Sequence, residues 1–227
     1  MNELLNLNRI GKGVHKKWIY PNKDCYELGC DYLQKINFCI QDFNTEFEKN
    51  EINIKSVTYL ILLVTWIQEA YEQFERIFDD SLKSGFVYRK ESRLSECKKY
   101  LRALRSFVVA HPLSTNQHKK YLLEGNYICV DISVRLSAVQ KLQQRPFYMF
   151  NIEGLEQVAD EKIGRECDYY LLVYSKKDGA RFFQYFGCCF ADLVEIASLY
   201  IDKLYALDKH LSKWKRTDFC EYYIREE

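Results

Sequence analysis

The stretch VTYLILLVTWIQEAYEQFERIF, residues 57–78, decides the fold. Val57, Leu60, Val64, Ile67, Tyr71, Phe74 and Phe78 recur at steps of three and four, the period of one face of an α-helix. In its first half Ile61, Leu62, Leu63 and Trp66 add apolar side chains around the rest of the cylinder, so that half is expected to be covered on more than one side. The longest apolar run, Val57 to Ile67, is too short to cross a bilayer, which needs about 20 residues.

Three further stripes flank this one. Tyr26, Cys30, Leu33, Asn37, Ile40, Phe43 and Phe47 precede it. Leu94, Cys97, Leu101, Leu104, Val108 and His111 follow it. Ser92 is placed to cap that third helix, which must end near His111 because the residue before Pro112 disfavours helical geometry. Leu193, Ala197, Tyr200, Leu204, Leu207 and Leu211 form the last stripe. Segments of about 20 residues with such stripes suit an antiparallel bundle.

Between the third and fourth helices the period changes to two. Ile128, Val130, Ile132 and Val134 alternate with Cys129, Asp131, Ser133 and Arg135, the pattern of a half-buried strand. Residues 168–174 and 181–186 are aromatic-rich and flank Asp178-Gly179, a hairpin turn signal, and residues 147–152 suggest another short strand. The expectation is a mainly α fold, an antiparallel four-helix bundle with a small antiparallel sheet inserted before the last helix. Residues 1–227 are expected to form a single domain, with a helical core at 24–112, a strand-rich insertion at 113–187 and a final helix at 188–213.

Composition excludes several classes. With 48% hydrophobic and 29% charged residues the chain is neither disordered nor fibrous, since Gly and Pro number only 9 and 3. No basic start followed by an apolar run marks a signal peptide, so a cytoplasmic location is expected. Nine cysteines without a C-x-x-C pair read as reduced, mostly buried thiols, and no metal or cofactor is expected. No Walker A loop, nucleophile elbow, zinc-protease motif or EF-hand is present. Gly11-Lys12-Gly13 has only a superficial likeness to a phosphate loop. Glu69, Glu72, Glu75, Asp79 and Asp80 read as a solvated helix face, and His15 and His210 as surface residues.

Charge is unevenly placed. Net charge is +1, yet residues 89–120 carry nine basic and two acidic residues, leaving −6 for the rest. A positive field gathered around one helix attracts anions such as an RNA backbone. A second basic group (Lys203, Lys209, Lys213, Lys215, Arg216) closes the last helix, where the helix dipole favours cations.

Within the basic helix stands Leu104-Arg105-Ser106-Phe107-Val108-Val109-Ala110-His111-Pro112. An Arg followed six residues later by a His near the end of a long bundle helix, with the Ala-His-Pro ending, resembles the signature of the HEPN superfamily, in particular its abortive-infection-type members. The resemblance covers residues 24–112 and the last helix. It departs at Ser106, where the family usually has Asn, Asp or His. It departs again at Leu113, where one toxin branch carries a Tyr.

What the resemblance implies is a metal-independent endoribonuclease with a composite site at a homodimer interface, serving as a toxin or in antiviral defence, with an antitoxin or other partner protein. In straight α geometry Arg105 and His111 lie roughly 120° apart with a rise of about 9 Å, so they converge across a twofold seam more readily than within one helix. The imidazole of His111 titrates near neutrality and suits proton transfer from an RNA 2′-hydroxyl, a task contributing about 10²- to 10⁴-fold. Arg105 would hold the phosphate as charge builds, with Ser106 orienting it. Lys98, Arg102, His118, Lys119 and Lys120 are the candidate RNA-binding residues. The alternative is a non-catalytic HEPN-like module that binds RNA, a nucleotide or a protein, which Ser106 favours. A third possibility is a plain helical scaffold.

Overall fold

The computed structural model describes residues 7, 10–49, 53–78, 80–110, 112–113, 126–134, 147–150, 167–177 and 179–215. The protein is mainly helical. Helix α1 spans Lys23–Glu48, α2 Ile54–Ile77, the single turn α3 Asp80–Lys83, α4 Glu91–Arg105 and α5 Phe190–Ser212. Asparagines start the first two: Asn22 Oδ1 accepts from Cys25 N at 2.8 Å and Asn53 Oδ1 from Ser56 N at 2.9 Å. Such caps satisfy backbone N–H groups that have no partner inside the helix. Helix α5 is capped from a distance, because Asp168 Oδ2 accepts from Phe190 N at 2.7 Å.

The expected cap of α4 is displaced. That helix begins at Glu91, whose N–H bonds to Tyr88 O, so Ser92 lies inside its first turn. Its far end changes form, since Ser106–Ala110 is a π-helical turn continuing α4. The wider turn shifts the stripe: Phe107 is fully buried, whereas Val108 is only half-buried. Among the described residues no helix is long and apolar enough to cross a membrane.

A four-stranded sheet precedes α5: β1 Asn126–Ser133, β2 Phe147–Tyr148, β3 Tyr169–Lys177 and β4 Ala180–Cys188, in the order β1-β3-β4-β2. Three strands are antiparallel as expected, but β2 runs parallel to β4 for its two residues. Pairing of Lys177 with Ala180 leaves a two-residue loop, with Gly179 at φ 82°. Only glycine adopts that backbone without cost, which is why the Asp-Gly signal located the turn.

The chain divides into two compact units, Met1–Glu48 with Leu63–Leu94 and Glu195–Glu227, and Lys49–Leu62 with Ser95–Val194. These do not follow the linear division into core, insertion and last helix; the boundary passes through α2, α4 and α5. In the first unit the α1 stripe is rotated from its expected phase. Leu33, Ile36, Cys39, Ile40 and Phe43 are buried, while Tyr26, Cys30, Asn37 and Phe47 are half-buried. Every predicted stripe residue of α2 and α5 is buried. The second unit holds the sheet, whose inner face carries Tyr169, Leu171, Val173, Phe186 and Cys188.

Candidate functional site

The basic helix has two halves with different partners. Lys90, just before α4, and Arg93 in its first half meet acids of α5. Lys90 Nζ pairs with Asp202 Oδ2 at 3.0 Å, an oxygen that also accepts the Tyr88 hydroxyl. Arg93 grips Glu195 with two parallel bonds, Nε to Oε1 and Nη2 to Oε2, both 2.7 Å. Hydrogen bonding to the Arg93 guanidinium holds the Glu195 carboxyl below its ordinary value, against the opposing effect of burial. Lys203, with only 10% of its side chain exposed, reaches Glu91 at 3.1 Å and Glu75 at 3.4 Å.

Two expectations are corrected here. Lys203 belongs to this ion cluster and not to an exposed basic group at the end of α5. Glu72 and Glu75 are not solvated either: Glu72 accepts from Gln68 at 3.0 Å and Glu75 from the Tyr71 hydroxyl at 3.1 Å. Their partners are themselves buried, so the carboxylates are drawn in by hydrogen bonds and by Lys203.

In the second half, Lys98, Arg102 and Arg105 follow one another at steps of four and three and so share a helix face. Arg102 and Arg105 are exposed and Lys98 is half-buried. Ser106 is only 8% exposed, on the inner side of the π turn. A π turn advances less per residue than an α turn, so the 120° separation reckoned for Arg105 and His111 does not apply. Such turns recur at functional sites in proteins generally. Immediately beyond, Pro112 O accepts from Val130 N at 2.8 Å, tying the end of the segment to β1. His111, His118, Lys119 and Lys120 lie outside the described residues.

The glycine-rich N-terminal loop does hold an anion, but one of its own. Gly11 N and Val14 N each donate to an oxygen of Asp208 at 2.9 Å. A Cβ on Gly13 would lie 2.0 Å from Asp208 O, so the close approach demands glycine. Lys16 Nζ reaches Ser212 O and Trp214 O at 2.9 Å, closing the end of α5. His210 is also not a free surface residue: its Nε2 sits 2.9 Å from Leu82 O. Separations near 200 residues hide such pairings from local pattern.

The second unit encloses Tyr100, Tyr169 and Cys188 beside Asp192, whose Oδ1 accepts the Tyr148 hydroxyl. Desolvation drives the two phenols and the thiol far above their ordinary values, so none ionises near neutral pH. The Cys188 thiol stands beside both hydroxyls as a weak partner, yet neither O–H makes a well-formed hydrogen bond. Neither phenol nor the thiol is ionised near neutral pH, so none of the three acts there as a nucleophile or base. All eight described cysteines are free thiols, four of them buried. No group of three metal-ligating side chains occurs among the described residues. A cavity of about 200 Å³ is lined by Leu7, Ile10, His15, Leu33 and Asn37, away from the α4 stripe in sequence and unit.

What the α4 stripe can do is hold phosphates: two exposed guanidiniums and a lysine, about 10 Å from first to last, on a rigid helix. No family model, no curated protein and no solved structure matches the chain.

Proposed function

We propose that the chain is a HEPN-like, metal-independent endoribonuclease of the cytoplasm that works as a homodimer, in a toxin or antiviral defence role. The observation that supports this best is the stripe Lys98–Arg102–Arg105, exposed at its last two residues and running into the π turn that begins the Ser106–His111 stretch. RNA backbone would lie along the stripe. Arg105 would neutralise the phosphate as the 2′-hydroxyl attacks, and His111 would take the hydroxyl proton and later return one to the leaving oxygen. The products would be a 2′,3′-cyclic phosphate and a 5′-hydroxyl, with the paired copy supplying a second Arg and His.

Burial of Ser106 favours a second reading, a HEPN-like module that binds RNA without cutting it, because a serine turned inward is poorly placed to assist a phosphate in solvent. Cleavage separates the two. Purified protein should cut a mixed RNA pool in EDTA, and Arg105→Ala or His111→Ala should each slow cleavage by about 10²-fold or more with the melting temperature unchanged. A dimer that binds the pool and leaves it intact would establish the binding module instead. Light scattering tests the dimer itself.

A further inference from the structure

We infer that the N-terminal loop and α1 together form a binding site for a small aromatic heterocycle carrying an N–H group. This goes beyond the RNA reading and does not depend on it, because every residue of the site belongs to the compact unit that lacks the Lys98–Arg105 stripe.

The site is the cavity of about 200 Å³ lined by Leu7, Ile10, His15, Leu33 and Asn37. Leu33 and Asn37 lie one turn apart on α1, and the other three belong to the loop before it. Leu33 is buried, Leu7 and Ile10 are half-buried and His15 is exposed. The lining therefore grades from aliphatic side chains inside to an imidazole at the mouth. Close packing leaves few voids larger than a water molecule, so a space of this size needs a cause. The cause is that the loop is held from elsewhere. Gly11 N and Val14 N donate to Asp208 on α5, and the Tyr20 hydroxyl donates to Val14 O at 2.6 Å. Fixed at those points, the loop cannot settle onto α1 and fill the gap.

One polar atom gives the site its preference. Asn37 Oδ1 is shut off from solvent and accepts no hydrogen bond from the protein. A buried carbonyl without a donor is costly. The residue is otherwise only half-buried, and its last torsion is a soft one, so the amide can turn Oδ1 towards a donor held in the cavity. Water meets the need poorly, because a buried water wants two to four polar partners and three of the five lining side chains are aliphatic. A cavity of about 150 Å³ with aliphatic and aromatic walls takes one benzene ring, so this one takes one or two fused rings. An apolar cleft with a few placed polar groups is the usual form of a small-molecule site. The ring body lies against Leu7, Ile10 and Leu33, its N–H meets Asn37, and its outer edge reaches the His15 imidazole.

Titration of the full chain with indole, followed by amide ¹H–¹⁵N spectra, tests the site, with benzofuran as the same shape without the N–H. Indole should shift the amides of Ile10, His15, Leu33 and Asn37 saturably, with a dissociation constant of about 0.1–1 mM. Benzofuran should bind about fivefold more weakly. Asn37→Leu keeps the volume and removes the carbonyl, so it should bind the two probes alike. If wild type binds indole and benzofuran equally, or the shifts fall away from these residues, the assignment is wrong. If neither probe saturates, the cavity is packing space that holds water only, and the RNA reading of α4 stands untouched.

Discussion

The two ends of the basic segment that runs from Lys90 to Arg105 differ in what their cations meet. Lys90 and Arg93 are neutralised by Asp202 and Glu195, and Glu91 joins Lys203 in the same cluster. Arg102 and Arg105, about two and a half to four turns further on, are exposed, and no ion pair links Arg102 to another described residue. The difference comes from what faces each half. The stretch of α5 from Glu195 to Asp202 offers carboxylates to the first half, whereas in the second half Tyr100, Leu101, Ala103 and Leu104 are buried and Arg102 and Arg105 lie on the exposed side. A count of basic residues along the chain therefore overstates the field available to an RNA. The cations of the first half hold the fold, and in the second half Arg102 has no ion pair with another described residue.

That division can be broken by substitutions in either half. The largest effect is expected at Lys203, because removing a nearly buried cation strands Glu75. Lys203→Ala should destabilise by about 3 kcal/mol, a fall of roughly 6–12 °C in melting temperature, and leave RNA affinity of the folded protein unchanged. A scanning calorimeter and a fluorescence-anisotropy titration with labelled single-stranded RNA read the two sides separately. A smaller loss is expected at the Arg93–Glu195 pair, whose side chains are 41% and 39% exposed and so partly screened. Glu195→Gln should cost about 0.5–1 kcal/mol at neutral pH.

Its pH dependence has a definite sign. The folded Glu195 carboxyl titrates below its unfolded value, so the pair's stabilisation is complete above about pH 4.3 and disappears as acidity passes the folded value. Urea melts of wild type and Glu195→Gln should differ at pH 7 and converge as the pH is lowered through the folded carboxyl's value. A difference that persists in acid would mean the bonds hold by something other than charge. The smallest effect on the fold belongs to the second half. Arg102→Ala should change stability by less than about 0.5 kcal/mol, yet lower the RNA salt slope by about 0.7. If Arg102→Ala destabilises as much as Glu195→Gln does, the two halves are not distinct.

Much of this architecture is legible in the residues. The period-3.6 stripes of α2 and α5 need no partner to be recognised, because their apolar positions are unbroken from Val57 to Phe78 and from Leu193 to Leu211. The hairpin is equally plain from Asp178-Gly179 between aromatic runs. On α1 the stripe is misphased by about one position, since Asn37 and Ile36 are neighbours and only packing decides which turns inward. The π turn leaves no mark in composition. Arg105 and Ser106 look alike in sequence terms as polar neighbours, and the local geometry sends one outward and the other inward. The Arg93–Glu195, Lys203–Glu75 and Asp208–Gly11 pairings join residues more than a hundred positions apart, so no window along the chain contains both members.

The clasp of Gly11 and Val14 on Asp208 also sets an order of events in the cell. Its two sides are 197 and 194 residues apart. At a ribosome's pace of about 5–20 residues per second, roughly 10–40 s separate the synthesis of this loop from that of the carboxylate it binds. During that interval its amides are hydrated and its glycines unconstrained. Shutting the clasp thus follows the synthesis of α5.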